Sequence, residues 1–284
     1  MKNKEVIEKI LAYHPAMENY EGCDGYKYGN PEDECKGIAS VLVATVDVIR
    51  KAAEAGCNLI ITHEPTFYST PDYAEWRGGF PNKIYEEKVK LLEKYGITVW
   101  RNHDHIHKHQ PDGIFDGVIR CLGWENYLVK EENPAPLIYN FEIPEMTVKE
   151  MKTFLEEKIS LNGMRYMGNP EGKIRKVAIA GHLFPGAFGY EFDDGKTYVE
   201  YATELIKIME NGVDAIIPGE VIDWTLLSYV RDALQLGKNK SIFNIGHFSL
   251  EELGMKYAAE WMKELVQGEI PVQYIPSGDI YQFD

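Results

Sequence analysis

The stretch NLIITHE (residues 58–64) is an apolar run that ends in a histidine and a glutamate, which is typical of a buried strand followed by a polar site. A second apolar run, GITVW (residues 96–100), precedes four histidines between residues 103 and 109, and a third precedes His247 and Glu251. Ligands of open α/β sheets bind beyond the carboxyl ends of the strands. The repeated pattern therefore predicts an α/β fold whose strand ends bring these side chains together.

Apolar runs alternate with helical patterns along most of the chain, as expected for βαβ units and a mostly parallel or mixed sheet. Residues 124–145 are rich in proline and interrupt this alternation. We therefore predict a boundary between two lobes. An N-terminal α/β lobe covers residues 1–125 with the first two clusters, and a C-terminal α/β lobe covers residues 126–284 with the third.

The composition restricts the class of function. A formal net charge of −15 disfavours binding to nucleic acid, because phosphates require a footprint of Lys and Arg. The four cysteines form no CxxC pair and are too few for a disulfide framework in 284 residues, so we expect reduced thiols in a cytoplasmic protein. The first residues predict an amphipathic helix rather than a signal peptide, and no apolar run approaches the ~20 residues that span a bilayer.

The histidine cluster points to a transition metal. Its four histidines occupy every second position from residue 103 to residue 109, so an extended segment would carry them all on one side and Asp104 on the other. Imidazole together with carboxylate suits Zn, Fe or Mn. The spacing alone does not select the ligand among the four, and a solvated polar loop is the alternative.

The third cluster surrounds the start of a predicted helix. Ser249 and Glu252 have the spacing of a capping box, so Ser249 is predicted to cap a helix whose first turn contains Glu251. His247 and Glu251 would then lie on either side of a strand-to-helix turn, where the helix dipole also favours a carboxylate. A purely structural role is the alternative for Glu251, as it is for His63.

Candidates for proton transfer near these clusters are Glu220, His103 and His105. Glu220 follows an apolar run at residues 215–217, although a glutamate at a helix start often serves only the helix dipole. His182 follows another predicted strand, and an ordinary structural role is favoured for it. The sequence contains no P-loop, nucleophile elbow or GxGxxG motif.

The order of these motifs resembles that of the NIF-three-like family, also known as type-two GTP cyclohydrolase-like proteins with a dinuclear metal centre. Residues 58–68 (NLIITHEPTFY) resemble its DLIITHHPLIF-like segment, and residues 96–107 resemble its strand followed by HxxxD. Residues 216–220 (IIPGE) resemble its ITGE, residues 246–251 (GHFSLE) its GHYATE, and residues 272–279 its ending. The resemblance covers most of the chain.

The resemblance implies a ligand set for two divalent transition-metal ions. The family's ligands are both histidines of the HH pair, the aspartate of HxxxD, and the histidine and glutamate of GHYATE. His63 matches the first histidine, Glu64 replaces the second, and His107 replaces the aspartate. His247 and Glu251 match directly. The two exchanges offset each other, so three histidines and two carboxylates remain and the total ligand charge is unchanged.

The resemblance also implies an architecture. It consists of two similar α/β lobes with the metal site in the cleft between them, assembled into a ring-shaped hexamer. The aromatic segments at residues 67–68 and 73–76 suit either an interface or a core.

A hypothesis and a rival follow for the function. The hypothesis is a cytoplasmic metal-dependent hydrolase, with a dinuclear centre of Zn, Fe or Mn, that acts on a small polar molecule and has no nucleic-acid or membrane partner. GTP cyclohydrolase activity does not transfer by similarity alone. The rival is a non-catalytic metal-binding oligomer that senses, stores or scaffolds. A coordination position open to water favours the enzyme, and a site closed by protein ligands favours the rival.

Overall fold

A computed structural model describes residues 1–69, 72, 79–130, 137–181, 190–191, 198–199, 201–221 and 223–282. The aromatic segment at residues 73–76 and His182 lie outside the described residues. None of the described helices is long and apolar enough to cross a bilayer.

Strands and helices alternate along the described chain. The strands are β1 (Gly25–Tyr28), β2 (Ile38–Val41), β3 (Leu59–Thr62), β4 (Thr98–Arg101), β5 (Ile138–Thr147), β6 (Arg165–Met167), β7 (Lys173–Ala180), β8 (Tyr190–Glu191), β9 (Tyr198–Val199), β10 (Ala215–Pro218), β11 (Ser241–Asn244) and β12 (Val272–Tyr274). The α-helices are α1 (Asn3–Tyr13), α2 (Val46–Glu54), α3 (Lys83–Tyr95), α4 (Asp104–Lys108), α5 (Gly113–Leu122), α6 (Val148–Ile159), α7 (Tyr201–Glu210), α8 (Leu226–Gln235) and α9 (His247–Leu265).

The chain divides into two compact units, one of residues 1–118 and 251–278 and the other of residues 119–250 and 279–284. Residues 251–278 therefore belong to the first unit, whereas the sequence places them in a C-terminal lobe that begins at residue 126. The reason is a long-range strand pairing, because β12 pairs in parallel with β2.

The first unit has a mixed sheet with the strand order β1-β4-β3-β2-β12 among the described residues. Strands β2, β3, β4 and β12 pair in parallel, and β1 is antiparallel to β4 at the edge. Every residue of β2, β3 and β4 is buried, as expected for parallel strands covered on both faces. This buried, parallel pairing fixes where the strands end, and the polar clusters begin there.

Local signals start and stop the helices of this unit. The Thr45 side chain accepts the N–H of Val48 and caps α2. The Asn82 side chain accepts the N–H of Tyr85 and caps α3. Gly96 ends α3 in the left-handed conformation at φ 60°, which glycine adopts without a steric penalty.

The second unit has its own mixed sheet with the order β5-β7-β10-β11-β6, and a separate β8-β9 pair. Strands β7, β10 and β11 are parallel, whereas β5 and β6 at the two edges are antiparallel to their neighbours. Each unit thus contains an α/β arrangement around a five-stranded mixed sheet, and the fold class predicted from the sequence is confirmed.

Helices α5 and α9 approach closely at two glycines. A Cβ atom at Gly254 would lie 2.6 Å from the Cα of Ile114, and one at Gly117 would lie 2.8 Å from the Cα of Gly254. We expect Gly254→Ala to destabilise the fold by about 1–3 kcal/mol, because backbone atoms would have to move apart. In a helix with free space at this position, the same change stabilises by about 1 kcal/mol. The sign of the change in unfolding free energy therefore shows whether the two helices are in close contact.

Urea unfolding checks this prediction, with Lys256→Ala as the control at an exposed position of the same helix. The control should change the free energy of unfolding by less than about 0.5 kcal/mol. A Gly254→Ala protein as stable as the control would contradict the close approach.

Candidate metal centre

The parallel strands β3 and β4 end side by side at the candidate site. Their register pairs Thr62 with Arg101, so the next residues, His63 and Asn102, are neighbours. Nδ1 of His63 lies 3.2 Å from the backbone oxygen of Asn102. A carbonyl oxygen can only accept, so Nδ1 carries a proton and Nε2 is the ring nitrogen available to a cation. Metal-binding histidines are commonly oriented in this way.

Nε2 of His63 faces a buried carboxylate. It lies 3.2 Å from Oε2 of Glu251, with the two side chains 0% and 2% exposed, but the contact lacks hydrogen-bond geometry. A cation bound between the two groups would attract both the ring nitrogen and the carboxylate. Two ligands of one ion, with bonds of about 2.0–2.2 Å, lie about 3.0–3.5 Å apart, so the observed spacing fits a shared ion.

The histidine segment is helical, because residues 104–108 form α4. The prediction of an extended segment with four histidines on one side is therefore wrong. In a helix, residues four apart share a face, so His103 and His107 project together. The ring centroids of His103 and His107 lie 4.9 Å apart. The centroid of His63 lies 4.6 Å from that of His103 and 4.9 Å from that of His107.

A carboxylate distant in sequence induces this short helix. Asp24 accepts the backbone N–H groups of His103, Asp104 and His105, which are donors that a helix start leaves without partners. Asp24 reaches them because β1, which follows it, pairs with β4. Local spacing carries no sign of this contact, which explains why the sequence suggested an extended segment.

Carboxylates also orient the rings of His103 and His107. Nδ1 of His103 lies 2.8 Å from Oδ1 of Asp104, and Nδ1 of His107 lies 2.9 Å from Oδ2 of Asp112. The other oxygen of Asp112 accepts the N–H groups of Ile114 and Phe115 at the start of α5. Asp112 therefore caps a helix and orients a histidine at the same time.

The electrostatic environment separates these two histidines. Burial and the neighbouring His63 lower the pKa of His103 to about 4, so its ring is neutral at pH 7. Burial alone would lower the pKa of His107, but the hydrogen bond to Asp112 and the charges of Asp112, Glu251 and Glu64 together outweigh it, so the net pKa is raised. Histidine binds metal in its neutral form, so protonation competes with a cation less at His103 than at His107.

Glu64 lies beside a buried arginine. Its Oε2 is 3.5 Å from Nη2 of Arg101, whose Nε donates to the backbone oxygen of His63 at 2.9 Å. Arg101 thus holds both the backbone at the end of β3 and the carboxylate that follows it. A turn at the strand end therefore gives two neighbouring residues access to one site.

Five side chains of the first unit can hold metal here. His63, His103 and His107 each offer a nitrogen within 4.8 Å of the others, and His63, Glu64 and Glu251 do the same with a nitrogen and two oxygens. We call these five residues the five-residue cluster. It contains three imidazoles and two carboxylates, the inventory expected from the sequence, but His103 occurs in it and His247 does not.

His247 lies in the second unit, at the start of α9. Its Nδ1 is 3.2 Å from Oε1 of Glu220, so Glu220 orients this ring as aspartates orient His103 and His107. Strands β10 and β11 are parallel neighbours, which brings the residues after them together. In the structure Glu220 contacts the ring of His247. A role of Glu220 in proton transfer stays a prediction.

The capping box predicted at Ser249 does not form. Helix α9 begins at His247, so Ser249 lies inside its first turn. The carboxylate of Glu252 accepts the N–H of Ser277 instead of closing a box. This long-range contact could not be read from local spacing.

His105 points to a different partner from its neighbours. Its Nδ1 lies 2.7 Å from Oδ2 of Asp24, and its ring packs edge-on against Tyr20. It belongs to none of the metal-capable groups among the described residues. Sequence reasoning missed the orienting groups Asp24, Asn102 and Asp112. Of these, only Asp112, between Pro111 and Gly113, carries a recognisable helix-start signal.

Two known proteins are similar to this chain over most of its length. The chain is 28% identical over 262 residues to a GTP cyclohydrolase 1 type 2 homolog of Clostridium acetobutylicum, covering 88% of this chain and 85% of the relative. It is 26% identical over 277 residues to the homolog of Clostridium perfringens, covering 95% and 94%.

A solved structure shares the fold. The Bacillus cereus protein related to NIF3 superposes with a TM-score of 0.71 at 16% identity, covering 100% of this chain and 99% of that one. The family model Duf34/NIF3 (NGG1p interacting factor 3) matches residues 1–189, about two thirds of the 284 residues. The chain therefore belongs to the Duf34/NIF3 family, and the predicted resemblance is confirmed.

Proposed function

We propose that this chain is a metal-dependent hydrolase with a dinuclear metal centre that acts on a small polar molecule. The observation that supports this most is the pair formed by His63 and Glu251. A buried imidazole nitrogen without a hydrogen bond faces a buried carboxylate oxygen at 3.2 Å. Burying a carboxylate is costly unless it is paired, and a metal ion bound to both groups would supply the pairing.

The donor set suits two divalent transition-metal ions. An ion that keeps a position open for water commonly has three protein ligands, so five donors exceed the need of one such ion. Glu64 and Glu251 would supply the anionic donors for these ions. Imidazole combined with carboxylate favours Zn, Fe or Mn over Ca.

Such ions polarise an electrophile and lower the pKa of a bound water from about 15.7 toward 7. The protein's own part is to hold the donors in place. Asn102, Asp104 and Asp112 fix the rings of His63, His103 and His107 through Nδ1. Ligands fixed in advance reduce the cost of ordering the site when it forms.

The relatives' name suggests a probe. Two similar proteins are named GTP cyclohydrolase 1 type 2 homologs, so GTP belongs in a substrate screen. The rival hypothesis, a non-catalytic metal-binding assembly, has the same ligands but no turnover. Proton transfer by Glu220, His103 or His105 is a further proposal, and His103 is the one of the three that lies in the five-residue cluster.

We expect His63→Ala, Glu64→Ala, His107→Ala and Glu251→Ala each to reduce metal occupancy, because each removes a direct metal bond. Elemental analysis after reconstitution with Zn, Mn or Fe measures this, with two ions per wild-type chain expected from the five-residue cluster. His247→Ala should reduce occupancy about as strongly as His107→Ala if His247 is a ligand.

Two further variants sharpen this test. Asp112→Asn keeps a side chain that can cap α5 but removes the carboxylate from His107, so we expect metal affinity to fall about 10–100-fold. His105→Asn retains a donor toward Asp24 and should bind metal normally. Full occupancy in His107→Ala, together with loss in His105→Asn, would refute the assigned ligands.

Hydrolysis distinguishes the enzyme from the rival. Metal-reconstituted protein should cleave at least one C–N, ester or phosphoester bond in a panel of polar metabolites that includes GTP. The His63→Ala, His247→Ala double variant should show no turnover because it lacks the His63 ligand. If the wild type is no faster than this variant and its metal exchanges no water, the binding assembly replaces the enzyme.

We also propose that the chain assembles into a homohexamer, since closed symmetry is the rule among homo-oligomers. Light scattering at micromolar concentration should give six times the chain mass of 32.5 kDa. A monomer under these conditions would contradict this proposal but leave the metal ligands untouched.

A further inference from the structure

A second group of metal-capable side chains surrounds Asp104. Its Oδ2 accepts the hydroxyl of Tyr20 at 2.5 Å and the N–H of Cys23 at 3.1 Å. Its Oδ1 lies 2.8 Å from Nδ1 of His103 and 3.4 Å from Sγ of Cys23. One oxygen is thus held by neutral donors, while the other faces a nitrogen and a sulfur.

We infer that Cys23, His103 and Asp104 form an additional metal site with a thiolate ligand, separate in its donors from the ion between His63 and Glu251. The three residues each offer one ligand atom within 4.8 Å of the other two. They come from a loop before β1 and from the segment after β4, and Asp24 fixes both segments by accepting the N–H of Asp104.

The distances fit a small divalent ion. With a metal–sulfur bond of about 2.3 Å and a metal–oxygen bond of about 2.0–2.2 Å, tetrahedral coordination places sulfur and oxygen about 3.6 Å apart. The observed 3.4 Å between Cys23 and Asp104 needs only a small change. The 2.8 Å between His103 and Asp104 must lengthen slightly as an ion replaces the proton that they share.

The loop is shaped to allow this approach. A Cβ atom at Gly22 would collide with the carboxylate of Asp104 and with the ring of Tyr20. Because glycine occupies this position, the chain can fold over Asp104 and place Cys23 against it. The site is therefore formed by backbone shape as well as by side-chain identity.

The ligand chemistry selects the metal. Thiolate favours Zn²⁺ and related softer ions, while Mg²⁺ and Ca²⁺ prefer oxygen donors alone. Binding releases the proton of the Cys23 thiol and the proton on Nδ1 of His103. His103 also belongs to the five-residue cluster, so its two ring nitrogens would connect the two metal positions.

Cobalt substitution tests the inference on the full chain. A thiolate bound to Co²⁺ gives an intense near-ultraviolet charge-transfer band, which nitrogen and oxygen ligands do not give. We expect the band in the wild type, its loss in Cys23→Ser, and its weakening in Asp104→Asn. Cys121→Ser, which changes another half-buried cysteine in the second unit, should retain it.

The charge-transfer band tests the thiolate site separately from the hydrolase proposal. Glu251→Gln should impair the ion at His63 and any hydrolysis, yet keep the charge-transfer band. Absence of the band in the wild type, or its persistence in Cys23→Ser, would overturn the inference. If Cys23→Ser fails to fold, alkylation of the wild type decides: Zn²⁺ should protect Cys23 but not Cys121, and equal alkylation with and without Zn²⁺ would overturn the inference.

Discussion

The parallel pairing of β3 with β4 is the constraint on which the candidate centre depends. It sets His63 beside Asn102, and Nδ1 of His63 then donates a hydrogen bond to the carbonyl of Asn102. The ring can only present Nε2 to Glu251 in this arrangement. A register shift of one residue would send His63 to the opposite face of the sheet and abolish the site.

Carboxylates behind the histidines form a second layer of this design. Asp104, Asp112 and Glu220 each face the Nδ1 of a histidine that sequence or structure associates with metal. Asp24 does the same for His105 and also induces α4. Some of the acidic side chains that give the net charge of −15 therefore orient histidine rings, and bound cations would offset part of this negative charge.

The sequence predicted features that depend on local pattern. Apolar runs indicated the strands of the first unit, and His63 and Glu64 stand directly after one of them, whereas His107 was assigned through the family resemblance. It failed where a distant group decides the conformation. Asp24 stabilises the helical conformation of residues 104–108. Local spacing assigned the Glu252 carboxylate to a helix cap, but it accepts the backbone N–H of Ser277 instead. Periodicity cannot report contacts made across about 25 or 80 residues.

Anomalous diffraction from crystals grown with Zn²⁺ tests the candidate centre most directly. Data collected on both sides of the zinc absorption edge should place an ion between His63 and Glu251, about 2.0–2.2 Å from Nε2 of His63 and from a carboxylate oxygen of Glu251. Nδ1 of His63 should keep its contact with the Asn102 carbonyl. A fully loaded crystal with no anomalous peak there, and with His63 hydrogen-bonded directly to Glu251, would contradict a metal centre at this position.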